Sequence, residues 1–297
     1  MSTNEAASPN KLLIEADDAN SDQQPSPPAF EVVNPDDPPW GLGQAVLVWV
    51  TSVALLILMQ FAVGVPYVVY KAVSVGSTQG LATDPTLIFL TILGIVPAHI
   101  LTLMIVWLLV TKRGRRPFWQ TLGWSWPKNF GPWKTVGLAF LLLGLSVLIT
   151  QILGGKETPL DQVIASSLKT RFATAILAVA TAPLVEELTF RGVLYPALQR
   201  SLGMVWAVVL VSALFAGVHV LQYLNNFGVV AVITLLSVSL TLLRARTGRL
   251  LPSFVVHLVF NGIQAAFLVV QPFVGKSPTE NKAAVGFLIH TVARLFT

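Results

Sequence analysis

The chain is 297 residues long, 54% hydrophobic and 11% charged, with no cysteine and a mean hydropathy of +0.71. Soluble domains carry roughly 25% charged residues, so this composition excludes an ordinary soluble enzyme. The missing cysteine excludes disulfides, thiolate nucleophiles and cysteine-ligated zinc. The net charge of +5 conceals a split, because residues 1–40 hold eight acids and one base while residues 41–297 hold six acids and eighteen bases. Those bases sit in short clusters between apolar runs, which reads as a topology signal at a membrane surface rather than a nucleic-acid footprint.

In chain order, residues 1–40 are rich in Pro, Ser, Asn, Asp and Gln and end in Asn34-Pro-Asp-Asp-Pro-Pro-Trp40. Such a stretch buries too little apolar area to offset chain entropy, so it reads as a disordered acidic tail. It lacks the basic region followed by an apolar region of a cleavable signal peptide. A bilayer core needs about 20 apolar residues as helix, and seven runs qualify. They are Trp40 to Tyr70, Pro85 to Thr111, Thr135 to Gly154, Phe172 to Gln199, Gly203 to Val220, Phe227 to Leu243 and Leu251 to Phe273. Pro66 and Pro97 are expected to kink the first two. The weakly amphipathic run from Asn281 to Thr297 reads as a short eighth segment or an interfacial helix. The fold class is therefore all-α: a polytopic transmembrane helix bundle of seven to eight membrane helices with a disordered N-terminal tail. Its regions are the tail 1–40, the first membrane helices and a basic, aromatic loop over 41–171, a polar-cored region 172–273 and a C-terminal tail 274–297.

Orientation follows from the bases. The loop after the second run carries Lys112, Arg113, Arg115, Arg116, Lys128 and Lys134 with no acid, and the loop after the sixth carries Arg244, Arg246 and Arg249. The positive-inside rule makes that face cytoplasmic, and the N-terminus with it. Trp119, Trp124, Trp126 and Trp133 crowd the first of these loops and place it at headgroup level, while Trp126-Pro127 breaks any long helix there.

Ionisable residues at membrane depth are costly, so they are read first as functional. The fourth run contains Pro183-Leu-Val-Glu-Glu-Leu-Thr-Phe-Arg191. In a helix Glu187 and Arg191 share a face and can pair, whereas Glu186 is rotated about 100° away and keeps its carboxylate free as a general base. The fifth run ends in Phe215-Ala-Gly-Val-His219, and the seventh contains His257-Leu-Val-Phe-Asn261. One Glu, two His and one Asn from three helices form a set able to orient a water, hold a metal ion or stabilise an oxyanion. His99, beside Pro97, reads as a satisfied or cavity-facing residue rather than a catalytic one, and His290 as solvated.

These three motifs, Glu186-Glu187-x-x-x-Arg191, Phe215-x-x-x-His219 and His257-x-x-x-Asn261, resemble the CAAX-protease and bacteriocin-processing (CPBP) family of intramembrane proteases, Rce1-like enzymes included. The flanking Phe190-Arg-Gly-Val-Leu194 and Arg246-Thr-Gly248 are also similar. The resemblance covers about Phe172 to Val270. It implies an intramembrane endopeptidase, a hydrolase acting on membrane-associated and in some cases prenylated proteins or peptides, within the lipid bilayer and without nucleic acid. It implies Glu186 as general base, His219 positioning water, and His257 with Asn261 at the oxyanion, supported by Glu187, Arg191 and Phe215. It leaves two options for cofactor: a zinc ion on His219, His257 and Glu186, as in a metalloprotease, or none. The absence of a His-Glu-x-x-His helix, and Asn rather than Asp at 261, favour the metal-free option. No Gly-x-Ser-Gly run exists for a serine dyad. After the head the aspartates are Asp84 and Asp161, both in loops, so an aspartyl dyad is excluded.

Two other readings stand beside the protease. One is a non-catalytic membrane scaffold or immunity-type protein of the same fold. The other is a proton-coupled transporter using Glu186, against which no duplicated motif is found. One tension remains in the pattern. Counted along straight spans from the basic face, Glu186 lies roughly 14 residues deep, His219 roughly 16 and His257 roughly 6, a mismatch near 12 Å at about 1.5 Å per residue.

Overall fold

Helices form where the apolar runs lie, and Gly, Pro and Asp mark their ends. The computed structural model of the chain describes residues 33–273. Their α-helices are α1 (Leu42–Val75), α2 (Pro85–Leu93), α3 (Ile95–Thr111), α4 (Phe118–Thr121), α5 (Pro132–Leu153) and α6 (Pro159–Ala165). Then come α7 (Leu168–Ala180), α8 (Ala182–Glu186), a π-helical segment (Glu187–Leu194), α9 (Tyr195–Leu202), α10 (Met204–Val220), α11 (Phe227–Thr247) and α12 (Leu251–Val270). No strand occurs among the described residues.

Six stretches are long and apolar enough to cross a bilayer, and the pair Leu168–Ala180 and Ala182–Leu202, bent by 41°, makes a seventh. The chain is a multi-pass membrane protein. Its outer surface carries large exposed apolar side chains, such as Leu47, Phe61 and Val73 on α1, Ile152 on α5 and Trp206 on α10. Continuous apolar surface of that kind is what lipid tails cover.

Two spans are interrupted. The second is interrupted at Gly94, three residues before Pro97, whose missing N–H leaves the Leu93 carbonyl without its helical donor. A Cβ at Gly94 would lie 2.8 Å from the backbone of Met59 and Gln60, so α1 approaches closely there. The fourth span is not one regular helix. It breaks at Thr181, two residues before Pro183, and widens into the π segment.

The head differs from the sequence expectation. Residues 33–40, assigned by composition to the acidic tail, are folded against the bundle. Trp40 is 2% exposed and its indole N–H donates to the Val193 carbonyl at 3.0 Å. Asp36 pairs with the buried guanidinium of Arg244 at 2.6 Å, and Arg200 donates to Asp37 at 3.3 Å and to the Trp40 carbonyl at 2.7 Å. Ion pairs and one indole supply here what apolar area does not. Residues 1–32 and 274–297, including the proposed C-terminal interfacial helix and His290, lie outside the described residues.

Two apolar clusters hold the bundle. One surrounds the π segment, where Leu188, Phe190, Val193 and Leu194 pack with Trp40, Val106, Val110, Leu122, Val211, Phe215 and Leu250. The other joins α5, α11 and α12 through residues such as Ala139, Leu142, Leu236, Leu240, Val256 and Phe260. The depth mismatch does not keep the three residues apart, since His219 and His257 both lie within 4 Å of Glu186. Leu250 is 0% exposed, and its N–H donates to the Gly123 carbonyl of the basic loop at 3.0 Å. The basic loop thus covers that end of α12.

Candidate active site

The site is built on the α8–π junction. Pro196 has no N–H, and in an α-helix its ring would press on the carbonyl of Gly192. The helix answers by slipping register, so that the Tyr195 N–H reaches back to Phe190. All eight residues of the π segment are buried, and single π turns recur at functional sites. Gly192 is required by close packing, since a Cβ there would meet Leu122 at 3.1 Å and Leu250 at 3.3 Å.

Glu187 and Arg191 form the expected pair, Arg191 Nη1 to Glu187 Oε1 at 3.0 Å, with both side chains fully buried. The guanidinium uses most of its remaining donors on α11, giving Nε to Thr241 Oγ1 at 3.2 Å and Nη2 to Ser237 Oγ at 2.7 Å and its carbonyl at 3.1 Å. Its carbon lies 4.4 Å from the centroid of the Phe215 ring. A buried charge with a bidentate-capable fork needs this degree of pairing to be tolerated. Ser237 and Thr241 are absent from the sequence reading. Their signal was available as two hydroxyls four residues apart in an apolar run.

The sequence reading also missed the second role of Glu187. Its Oε1 lies 3.0 Å from His257 Nδ1. A carboxylate accepts, so Nδ1 carries the hydrogen and Nε2 faces the other way. His219 is set in the same sense, with Nδ1 donating to the Phe215 carbonyl at 2.8 Å. Both Nε2 atoms then approach Glu186, His219 at 3.9 Å from Oε1 and His257 at 3.7 Å from Oε2. These separations exceed direct hydrogen bonds and suit a bridging water. Phe215 lines the group, its ring 4.8 Å from His219, 5.9 Å from His257 and 5.2 Å from Phe190.

Glu186, His219 and His257 are thus brought together from three spans, with Glu187, Arg191 and Phe215 behind them. The side chain of Glu186 is 23% exposed, against 0% for Glu187, so the two adjacent carboxylates do diverge. Asn261 lies one turn beyond His257 and gives one amide hydrogen to the Ala178 carbonyl at 3.2 Å. His99 has a partner, as expected: Nδ1 is 2.8 Å from Thr181 Oγ1, at the break that precedes Glu186.

The fit of a metal can be tested on these donors. Metal-ligating imidazoles give their second N–H to a carboxylate or carbonyl, and both imidazoles here do so. Among the described residues no group of three or more His, Asp or Glu side chains meets the geometry expected of a preformed metal site, and Glu186, His219 and His257 are the residues that would hold one.

Residues 168–263 match the family model for type II CAAX prenyl endopeptidase, Rce1-like. The match covers a third of the chain and includes every residue of the three motifs. No curated protein and no solved structure matches the chain.

Proposed function

We propose, from the premise that residues 168–263 form an Rce1-like domain, that this protein is an intramembrane endopeptidase of the CAAX prenyl protease type. Its substrates are membrane-associated proteins or peptides, prenylated ones among them. The observation that carries the reading is the Glu186 carboxylate flanked by two imidazole Nε2 atoms whose opposite nitrogens are already tied.

A water held between Glu186 and His219 gives one hydrogen to the carboxylate and one to the unprotonated Nε2 of His219. As its oxygen attacks the scissile carbonyl carbon, Glu186 takes the proton. The tetrahedral oxyanion is met by the free amide hydrogen of Asn261 and by His257. The Glu187 carboxylate holds the His257 ring in place through Nδ1. Glu186 then returns its proton to the leaving nitrogen as the C–N bond breaks. One water is consumed, one carboxylic acid and one amine are released, and Glu186 is restored. Arg191 and Phe215 position this set without touching the substrate. We assign the basic end of the bundle, with the N-terminus, to the cytoplasmic side.

The test is a cleavage screen. The purified full chain and its Glu186→Gln variant are incubated with membrane-anchored peptides, prenylated and unprenylated, and products are identified by mass spectrometry. Cleavage by the wild type that vanishes in the variant supports the reading. Equal cleavage by both, or by neither across the panel, overturns it.

A further inference from the structure

We infer that His99 is a positioning residue for Glu186: its contact with Thr181 fixes the break from which α8 presents that carboxylate to the two imidazoles. The inference rests on the reading of Glu186 as general base. It brings into the site a helix, α3, that lies outside residues 168–263.

The buried stripe of α3, formed by Ala98, His99, Thr102, Val106 and Val110, turns His99 inward, where it is 5% exposed. A buried imidazole needs a polar partner, and Nδ1 has one in Thr181 Oγ1 at 2.8 Å. Thr181 is the joint of the fourth span. It stands between α7 and α8 at φ −125° and ψ −40°, well off the helical φ. Its N–H donates to the Leu177 carbonyl at 3.3 Å, and its carbonyl accepts from the Val185 N–H at 3.0 Å. The backbone of Thr181 is thus engaged by the two helices it joins, and the hydroxyl reaches a third.

α8 has five residues, Ala182–Glu186, too few to hold a helix by their own hydrogen bonds. Its direction is therefore set from outside at both ends. Beyond Glu186, the π segment is gripped through Arg191 by Ser237 and Thr241 on α11. Before it, Pro183 brings no N–H to the Val179 carbonyl, and the span bends by 41°. That side is held twice, by Asn261 on α12 donating to the Ala178 carbonyl at 3.2 Å and by His99 on Thr181. Glu186 closes the same short helix, and its charge is felt at His99. The carboxylate oxygens stand 3.9 and 3.7 Å from the Nε2 atoms of His219 and His257. A shift of α8 by about 1 Å would turn either separation into a direct hydrogen bond and close the gap for water.

The test uses the full chain in detergent with isotopically labelled histidine, whose ring nitrogens are followed by NMR and assigned with His219→Gln and His257→Gln. Thr181→Val removes the hydroxyl at nearly constant volume, His99→Phe removes the ring nitrogens, and Thr181→Ser keeps the hydroxyl. The first two should move the Nε2 resonances of both His219 and His257, and the double variant should move them no further. Thr181→Ser should leave them at their wild-type positions. On a peptide that wild type cleaves, Thr181→Val and His99→Phe should each lower kcat by about 10–10²-fold with KM within about twofold, as for a reacting group displaced by roughly an ångström. Thr181→Ser should restore that rate. Wild-type resonances in Thr181→Val overturn the inference, as do shifts in His99→Phe that Thr181→Val does not reproduce, or a kcat that neither variant lowers. A wild type that cleaves no peptide removes the protease reading alone, and the histidine spectra then decide whether His99 sets the carboxylate.

Discussion

Removing the Arg191 guanidinium tests the centre of the site most directly. Arg191→Ala deletes the contact to Glu187 at 3.0 Å, those to Thr241 and Ser237, and the Phe215 stacking. It leaves a fully buried carboxylate with the His257 N–H facing it and no cation fixed to the same helix. Breaking a buried pair from one side costs about 3–5 kcal/mol, which lowers a melting midpoint by on the order of 10 °C. Heating in detergent followed by size-exclusion chromatography measures this. The double variant Glu187→Gln/Arg191→Met removes both charges, and its amide oxygen can still accept from His257 Nδ1. Most of the stability should return. Activity should not, because the carboxylate that orients the His257 ring has gone, at an expected cost of about 10²–10⁴-fold in rate. An Arg191→Ala protein that melts like wild type, or a double variant as unstable as the single one, would refute this account of the pair.

Glu186→Gln should keep the fold and lower peptide hydrolysis by about 10²–10⁴-fold or more, read as turnover alongside a normal melting curve. His219→Ala and His257→Ala should each lose rate while wild type stays indifferent to chelators; stoichiometric zinc that leaves with His257→Ala and takes activity with it is the contrary result. Asn261→Ala should cost about 10²–10³-fold in kcat with KM little changed, as for an oxyanion donor, and a purely elevated KM would remove it from that role. Trp40→Phe keeps an aromatic ring but deletes the bond to Val193, so kcat should fall severalfold with a melting shift of a few degrees, on the order of one buried hydrogen bond; unchanged kcat would separate the strap from the site.

The spans were legible because each is a run of apolar residues of bilayer length, and that signal needs no tertiary knowledge. The Glu187–Arg191 pair was legible as well, although the register beneath it was not. Four-residue spacing predicts an α-helical pair, and the long guanidinium reaches Glu187 even where the backbone has gone over to π. The contacts that escaped are tertiary. Nothing local in the sequence tells Glu187 to grip His257, seventy residues away. Nothing in a proline-rich acidic run tells Asp36 that Arg244 is buried and waiting for a carboxylate.

Neighbouring glutamates rarely differ as much as these two. Glu186 ends an α-helical turn and Glu187 begins the π segment, so a single peptide bond separates a carboxylate open to the site from one sealed behind it. Two adjacent acids given opposite surroundings can take opposite tasks, one carrying protons and the other holding an imidazole in place. A widened helix inside a membrane bundle does not hold itself, because its wider ring weakens axial packing and its backbone groups still need partners. Here the partners arrive from every side: the Trp40 indole on the Val193 carbonyl, Ser237 and Thr241 on Arg191, and Leu122 and Leu250 against Gly192. The N-terminal strap and the basic loop therefore belong to the architecture of the site as much as the motif helices do, although both lie outside the segment that matches the family.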